Sequence, residues 1–157
     1  MQGILRHTDY ALRVVFHLAA SGDGAHIRVK ELAERRLMPA PFVRRVVARL
    51  AAKGILRTTR GSGGGVRLAR APDAISILDV VRAMEGGIVL NRCVAERRAC
   101  PLADTCPVQR TWCEATRRVE EHLAGVTFAD LLNPPEPPVR AEGRSPAGSA
   151  ARRRGKP

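Results

Sequence analysis

A basic amphipathic segment behind a proline-containing turn, a glycine-rich hairpin flanked by arginines, and a helical apolar repeat near the C-terminus predict a mainly α-helical fold with a small β wing. The arrangement is a winged helix-turn-helix followed by a dimerisation helix. Three units are expected: residues 1–74 as the winged helix-turn-helix, 75–132 as a ligand-binding loop with the dimerisation helix, and 133–157 as a disordered basic tail.

Thr8 suits the N-cap of a first helix, in which Ala11, Leu12, Val15, Phe16 and Ala19 recur at helical spacing. SGDGAH (21–26) reads as a loop. VKELAERRL (29–37) predicts a short second helix with Leu32, Ala33 and Leu37 on one side. Met38-Pro39-Ala40 breaks it. Pro41 suits the first position of a third helix, where its missing N–H costs nothing. That helix runs to about Lys53, and Gly54 suits its C-terminal cap. ILRTTR (55–60) and GVRLAR (65–70) predict two short strands joined by GSGGG (61–65). Ser76 and Asp79 form a capping box that opens SILDVVRAM, and Gly86-Gly87 stops it. Residues 91–110, with three cysteines and two prolines, read as an ordered loop. A longer helix spans about 108–124. A last short helix begins at Thr127, with Asp130 as its capping-box partner, and ends by Asn133. From Pro134 the chain is mostly Pro, Gly, Ala, Ser and Arg, which cannot bury a core.

Apolar residues make up 45% of the chain and aromatics only 3%, so Leu, Val, Ile and Ala must build the core. The formal charge is +12 over 157 residues. The tail carries a net +4, which leaves about +8 on the rest. A surplus of this size points to a polyanion as partner. Apolar runs are far shorter than the roughly 20 residues that span a bilayer, so no membrane partner is expected. MQGILRHTDYALR has no apolar signal core and carries an early acid, which reads as cytoplasmic. Thiols stay reduced in that compartment, so the four cysteines are not expected to form structural disulfides.

The third helix carries the strongest functional signal. Phe42, Val43, Val46, Val47 and Leu50 fall in one arc. Arg44, Arg45 and Arg49 lie off it and face outward, where guanidinium groups can reach guanine edges or phosphates. In the wing, Arg60, Gly61, Ser62 and Gly63 open a run of four glycines in five positions. Glycines let backbone N–H groups approach a phosphate, and Arg60 can enter a minor groove. Double-stranded DNA is the expected partner. The glycine run lacks the Lys-Ser/Thr of a P-loop and joins two strands, so it is not a nucleotide site.

Cys93, Cys100 and Cys106 are separated by six and five residues. Zinc sites use closer pairs. Three thiolates on one loop can instead wrap an iron–sulfur cluster, for which a fourth ligand is needed. A cysteine redox switch is the alternative, with Arg92, Arg97 and Arg98 nearby to favour thiolates. Cys113 lies seven residues beyond Cys106, about 10 Å along a helix axis, and reads as a packed or free thiol. The four histidines sit in no nucleophile or metal motif, so no enzyme activity is expected.

HTDYALR, RGSGGGVRLAR, ISILDVVRAMEG and the three loop cysteines resemble the Rrf family of bacterial winged-helix transcription regulators, over about residues 1–132. The wing and the cysteine loop together carry the resemblance. It implies a repressor acting as a homodimer on a palindromic operator. It also implies one iron–sulfur cluster per subunit, 4Fe–4S or 2Fe–2S, through which DNA binding answers to nitric oxide, redox state or iron. IscR-like members place a His three residues after the third cysteine. Gln109 stands there and is a poor iron ligand. NsrR-like, nitric-oxide-sensing members use an Asp near the N-terminus of the partner subunit, and Asp9 stands at that place. The resemblance is therefore closer to the NsrR-like branch, with Asp9 as fourth metal ligand beside Cys93, Cys100 and Cys106. Asp9 also satisfies a plain role as a first-turn acid. The alternative function is a cluster-free winged-helix regulator whose thiols act as a redox switch. Val108, Trp112, Ala115, Val119, His122 and Val126 follow the four-three spacing of a heptad seam, which suits either dimerisation or packing on the chain's own winged domain.

Overall fold

The computed structural model describes residues 5–22, 24–35, 38–61, 64–96 and 100–134. The helices are α1 (Arg6–Ala20), α2 (Val29–Arg35), α3 (Ala40–Ala52), α4 (Ile77–Glu85), α5 (Arg92–Ala95), α6 (Pro107–Ala124) and α7 (Phe128–Leu132). Strands β1 (Leu56–Thr59) and β2 (Gly65–Leu68) form one antiparallel hairpin, with Leu56 opposite Leu68 and Thr59 opposite Gly65. The fold is mainly helical with a small wing, as the patterning requires. The expected tail beyond Pro134 lies outside the described residues.

Helix α1 is the centre of the core. Its Ala11, Val14 and Val15 are fully buried, and it packs against α3, α4 and α7. Val43, Val46, Val47 and Leu50 of α3 close one side of that core, with Ile55, Leu56 and Val66 of the wing base beside them. Ile27 joins the wing through two backbone bonds: its N–H donates to Val66 O at 3.0 Å, and Val66 N–H donates back at 2.9 Å. A single bridge residue thus fastens the loop before α2 to the hairpin.

The C-terminal elements return to the same core. Ile77 N–H donates to Val126 O at 2.9 Å, and Phe128 N–H to Ile75 O at 3.0 Å, so Ser76 and Thr127 lie opposite each other. Each of these two residues opens a helix with a full capping box, Ser76 with Asp79 and Thr127 with Asp130. The Thr127 hydroxyl and N–H hold the Asp130 carboxyl below its ordinary range. Phe128 is completely buried and seals the core from the α7 side.

Several expectations need correction. Thr8 is not an N-cap: α1 begins at Arg6 with Leu5 before it and no side-chain cap from its own segment. Instead Glu85, at the end of α4, accepts hydrogen bonds from Leu5 N–H (3.1 Å) and from the Thr8 hydroxyl. Long-range capping of this kind has no local signature. Pro41 occupies the second helical position, since Pro39 serves as the N-cap. Both strands are shorter than expected, because the ladder runs only from Leu56 opposite Leu68 to Thr59 opposite Gly65. The stretch around Cys93 is a helical turn rather than loop. Helix α2 is described only to Arg35, so Leu37 lies outside the described residues.

Candidate nucleic-acid interface and cysteine loop

Helix α3 buries its valine arc and turns Arg44, Arg45 and Arg49 outward. The three arginines are not equivalent. Arg44 has no partner among the described residues. The Arg45 guanidinium carbon sits 5.2 Å from the centroid of the Phe42 ring, a cation–π distance. Phe42 in turn meets Tyr10 edge-on at 5.3 Å. Arg49 Nε donates to Ala83 O at 3.2 Å, which fastens α3 to α4. Part of the arginine face therefore positions the helix.

In the wing, Arg60 and Gly61 are exposed, and Gly61 takes a left-handed φ of 108° with open space around it. Ser62 and Gly63 lie outside the described residues. The other glycines have a different reason from the one the sequence suggested. A Cβ on Gly64 would fall 2.2 Å from Thr59 O, and one on Gly65 would fall 2.9 Å from Ile27 O. Backbone packing requires them, inside the hairpin at Gly64 and against the loop before α2 at Gly65.

Sequence reasoning had Arg67 only as an arginine flanking the glycines and missed Arg57 altogether. Arg57 and Arg67 are directly opposite in the ladder and share its outer face. Like charges placed so repel each other, and a bound polyanion would relieve that repulsion. The signal lay in the register, which the strand sequences alone do not set.

The cysteine loop runs along the start of α6. Cys93 lies on α5, Cys106 is the N-cap of α6, and Cys100 precedes a turn in which Ala103 N–H donates to Cys100 O at 3.1 Å. All three are free and half-buried, while Cys113 is free and exposed on α6. Three soft, uncommitted thiols on one loop fit the donor chemistry of an iron–sulfur cluster. Among the described residues, no three His, Cys, Asp or Glu side chains of one chain converge on a metal-sized site. Asp9 is in the first turn of α1, about half exposed, and is ion-paired with Arg13 at 2.9 Å. Gln109 is half-buried in the first turn of α6. Arg97 and Arg98 lie outside the described residues.

Helix α6 has three faces. One packs on the chain itself, through buried Thr116 and the Glu120–Arg82 ion pair at 3.0 Å to α4. A second carries Glu114, Arg117, Arg118 and Glu121 in one network. Arg117 and Arg118 hold the Glu114 carboxyl at about 2, below its usual 4.5. The third is the apolar stripe. Val108 is 59% exposed and Val119 38%, whereas Trp112, Ala115 and Val126 are half-buried, so only part of the stripe is open. No helix among the described residues is long and apolar enough to cross a membrane.

Comparison with known proteins places these features in company. The Rrf2 family model, described as an iron-dependent transcriptional regulator, matches residues 4–134. The transcriptional regulator NsrR of Bacillus subtilis is 32% identical over 130 residues, which cover 82% of this chain and 89% of that protein. The structure of CymR (YrzC), the global cysteine regulator of B. subtilis, is 27% identical and superposes with a TM-score of 0.71, covering 85% of this chain and 98% of that one. The structure of IscR from T. potens is 25% identical with a TM-score of 0.68, covering 84% and 87%.

Proposed function

Because the chain belongs to the Rrf2 family of transcription regulators, we propose that it is a homodimeric repressor whose operator binding is controlled by an iron–sulfur cluster on the cysteine loop. The observation that carries this reading is the position of the thiols. Cys93, Cys100 and Cys106 sit beside the start of α6, whose Val108 and Val119 are exposed and available to a second copy. A change at the loop therefore acts directly on the element that sets the spacing of two reading heads, and a palindromic operator needs both heads at fixed spacing.

On this reading Arg44 and Arg45 of α3 enter the major groove, with Arg49 bracing the helix against α4. Arg60, Gly61, Ser62, Gly63, Arg57 and Arg67 meet the backbone or the minor groove. Cys93, Cys100 and Cys106 would hold the cluster, with Asp9 of a second copy as fourth ligand. A cluster there supplies a centre that reacts with nitric oxide and oxidants. The ion pair to Arg13 at 2.9 Å orients the Asp9 carboxylate at the start of α1.

The test is anaerobic purification followed by operator titration at one salt concentration. Brown protein with bound iron and sulfide is expected, and Cys100→Ala should lose both and bind operator about tenfold or more weakly. Equal affinity of loaded protein and Cys100→Ala would reject cluster control. A second reading, a thiol redox switch with no cluster, is favoured by the absence of a converged donor set within one chain among the described residues. Colourless, iron-free protein whose operator affinity changes with oxidant would establish it.

A further inference from the structure

Arg44 and Arg45 are neighbours in the N-terminal half of α3, the part of a reading helix that meets base edges, and both are exposed. Only Arg45 is held. Its guanidinium carbon lies 5.2 Å from the centroid of the Phe42 ring, one turn earlier on the same helix, inside the roughly 6 Å at which a ring attracts a cation. Phe42 is itself fixed from two sides. Its N–H donates to Pro39 O at 2.9 Å. Its ring meets Tyr10 of α1 edge-on at 5.3 Å, with the two planes 87° apart. Tyr10 stands on a firm support, beside Thr8 and Ala11, which are both completely buried. A series of contacts thus runs from the core through Tyr10 and Phe42 and ends on Arg45.

A ring contact differs from a hydrogen bond in what it leaves over. Attraction to the ring face orients the guanidinium and occupies none of its N–H donors. Arg49, by contrast, commits its Nε to Ala83 O. Holding a long side chain in advance also lowers the entropy lost when it docks. A fixed direction with an unused fork suits bidentate recognition of guanine O6 and N7. Arg44 has no such hold and suits a phosphate, which accepts from many directions. We propose that Phe42, braced by Tyr10, positions Arg45 to read a guanine, so that two rings which themselves stay off the DNA set the base specificity of α3. The proposal rests on the assignment of α3 as the reading helix and is independent of the cysteine loop.

The test uses the full chain, purified anaerobically, and a duplex library with a randomised core. The parent should select a half-site with a fixed guanine. Replacing that guanine by 7-deazaguanine, which lacks the N7 acceptor, should weaken binding about fivefold or more in the parent and less than about twofold in Arg45→Ala and Phe42→Leu. Phe42→Leu should cut the discrimination between guanine and the other bases about threefold to tenfold, and Tyr10→Leu by a smaller factor. Phe42→Tyr keeps the ring and should restore the parent's discrimination. All three ring variants should bind random-sequence DNA as the parent does and with its salt slope, because no phosphate contact is lost. In the free parent, the protons about the Arg45 guanidinium should be shifted upfield by the Phe42 ring, a measurement that stands even if Phe42→Leu fails to fold. Unchanged guanine discrimination in Phe42→Leu, an equal loss on selected and random DNA, a lost preference at a thymine instead of the guanine, or unshifted Arg45 protons would each overturn the proposal. Discrimination lost in Arg45→Ala and kept in Phe42→Leu leaves the α3 assignment standing. Discrimination kept in both Arg44→Ala and Arg45→Ala removes that assignment as well.

Discussion

Removing the Glu85 carboxylate should unlatch the start of α1. Thr8 is completely buried and donates its hydroxyl to Glu85 Oε1, the same oxygen that accepts from Leu5 N–H. The Leu5 bond is exposed, so water replaces it at little cost. The Thr8 hydroxyl cannot be rehydrated without opening the helix. A stranded buried donor costs about 1–3 kcal/mol, so Glu85→Ala should destabilise the fold by about 2–3 kcal/mol. Glu85→Gln keeps an acceptor oxygen and should cost about 1 kcal/mol or less. Thr8→Ala removes the group that would be stranded. The double variant should therefore lose less than the sum of the singles, by about 1–2 kcal/mol. Urea denaturation of the parent, both singles and the double gives the coupling, and hydrogen exchange at residues 5–10 should rise first in Glu85→Ala. Additivity within about 0.5 kcal/mol would refute the latch.

The wing offers a trade. Arg57→Ala or Arg67→Ala should stabilise the free protein by about 0.2–1 kcal/mol through lost repulsion, while weakening DNA binding and lowering the salt slope by about 1; denaturation and operator titrations at several salt concentrations read both. Val119→Glu, on the open part of the α6 stripe, should weaken dimerisation by about tenfold or more, visible as a monomer in sedimentation at micromolar concentration. Glu114, held at about 2 by Arg117 and Arg118, supports α6 fully above its unfolded value of 4.5 and loses that support as pH falls towards 2. Circular dichroism should therefore show parent and Glu114→Gln differing at neutral pH and converging at the acid limit.

Much of the architecture was legible because it rests on short-range patterns. The valine arc of α3 and the capping boxes at Ser76 and Thr127 are complete within four to nine residues, and the structure keeps them. Features made between distant segments were hidden. The partner of Thr8 lies 77 residues away at Glu85. Gly65 needs to be glycine because of Ile27 O, a contact between loop and hairpin. The Arg57–Arg67 pair depends on register. The site reading divides the same way: outward arginines follow from helical periodicity, and so does the Asp9–Arg13 pair, four residues apart on one helix, whereas Arg49's tie to Ala83 is visible only once α3 and α4 are placed.

Phe128 has a consequence for anyone who would rebuild this protein from parts. It lies 0% exposed in one core with Val14, Leu50 and Met84, and Ile75–Ile77 is bonded to Val126–Phe128. The reading head is thus plugged by a side chain that the ribosome adds 60 residues after Leu68, the last residue of the wing. A nascent chain stopped before that point holds an open seam, so completion of the head should wait for α7 to emerge. Chimaeras that exchange sensing halves between relatives inherit the same demand. A crossover placed after the wing would pair one parent's socket with another's plug, and only grafts that carry α4 and α7 together with a matching α1 should assemble.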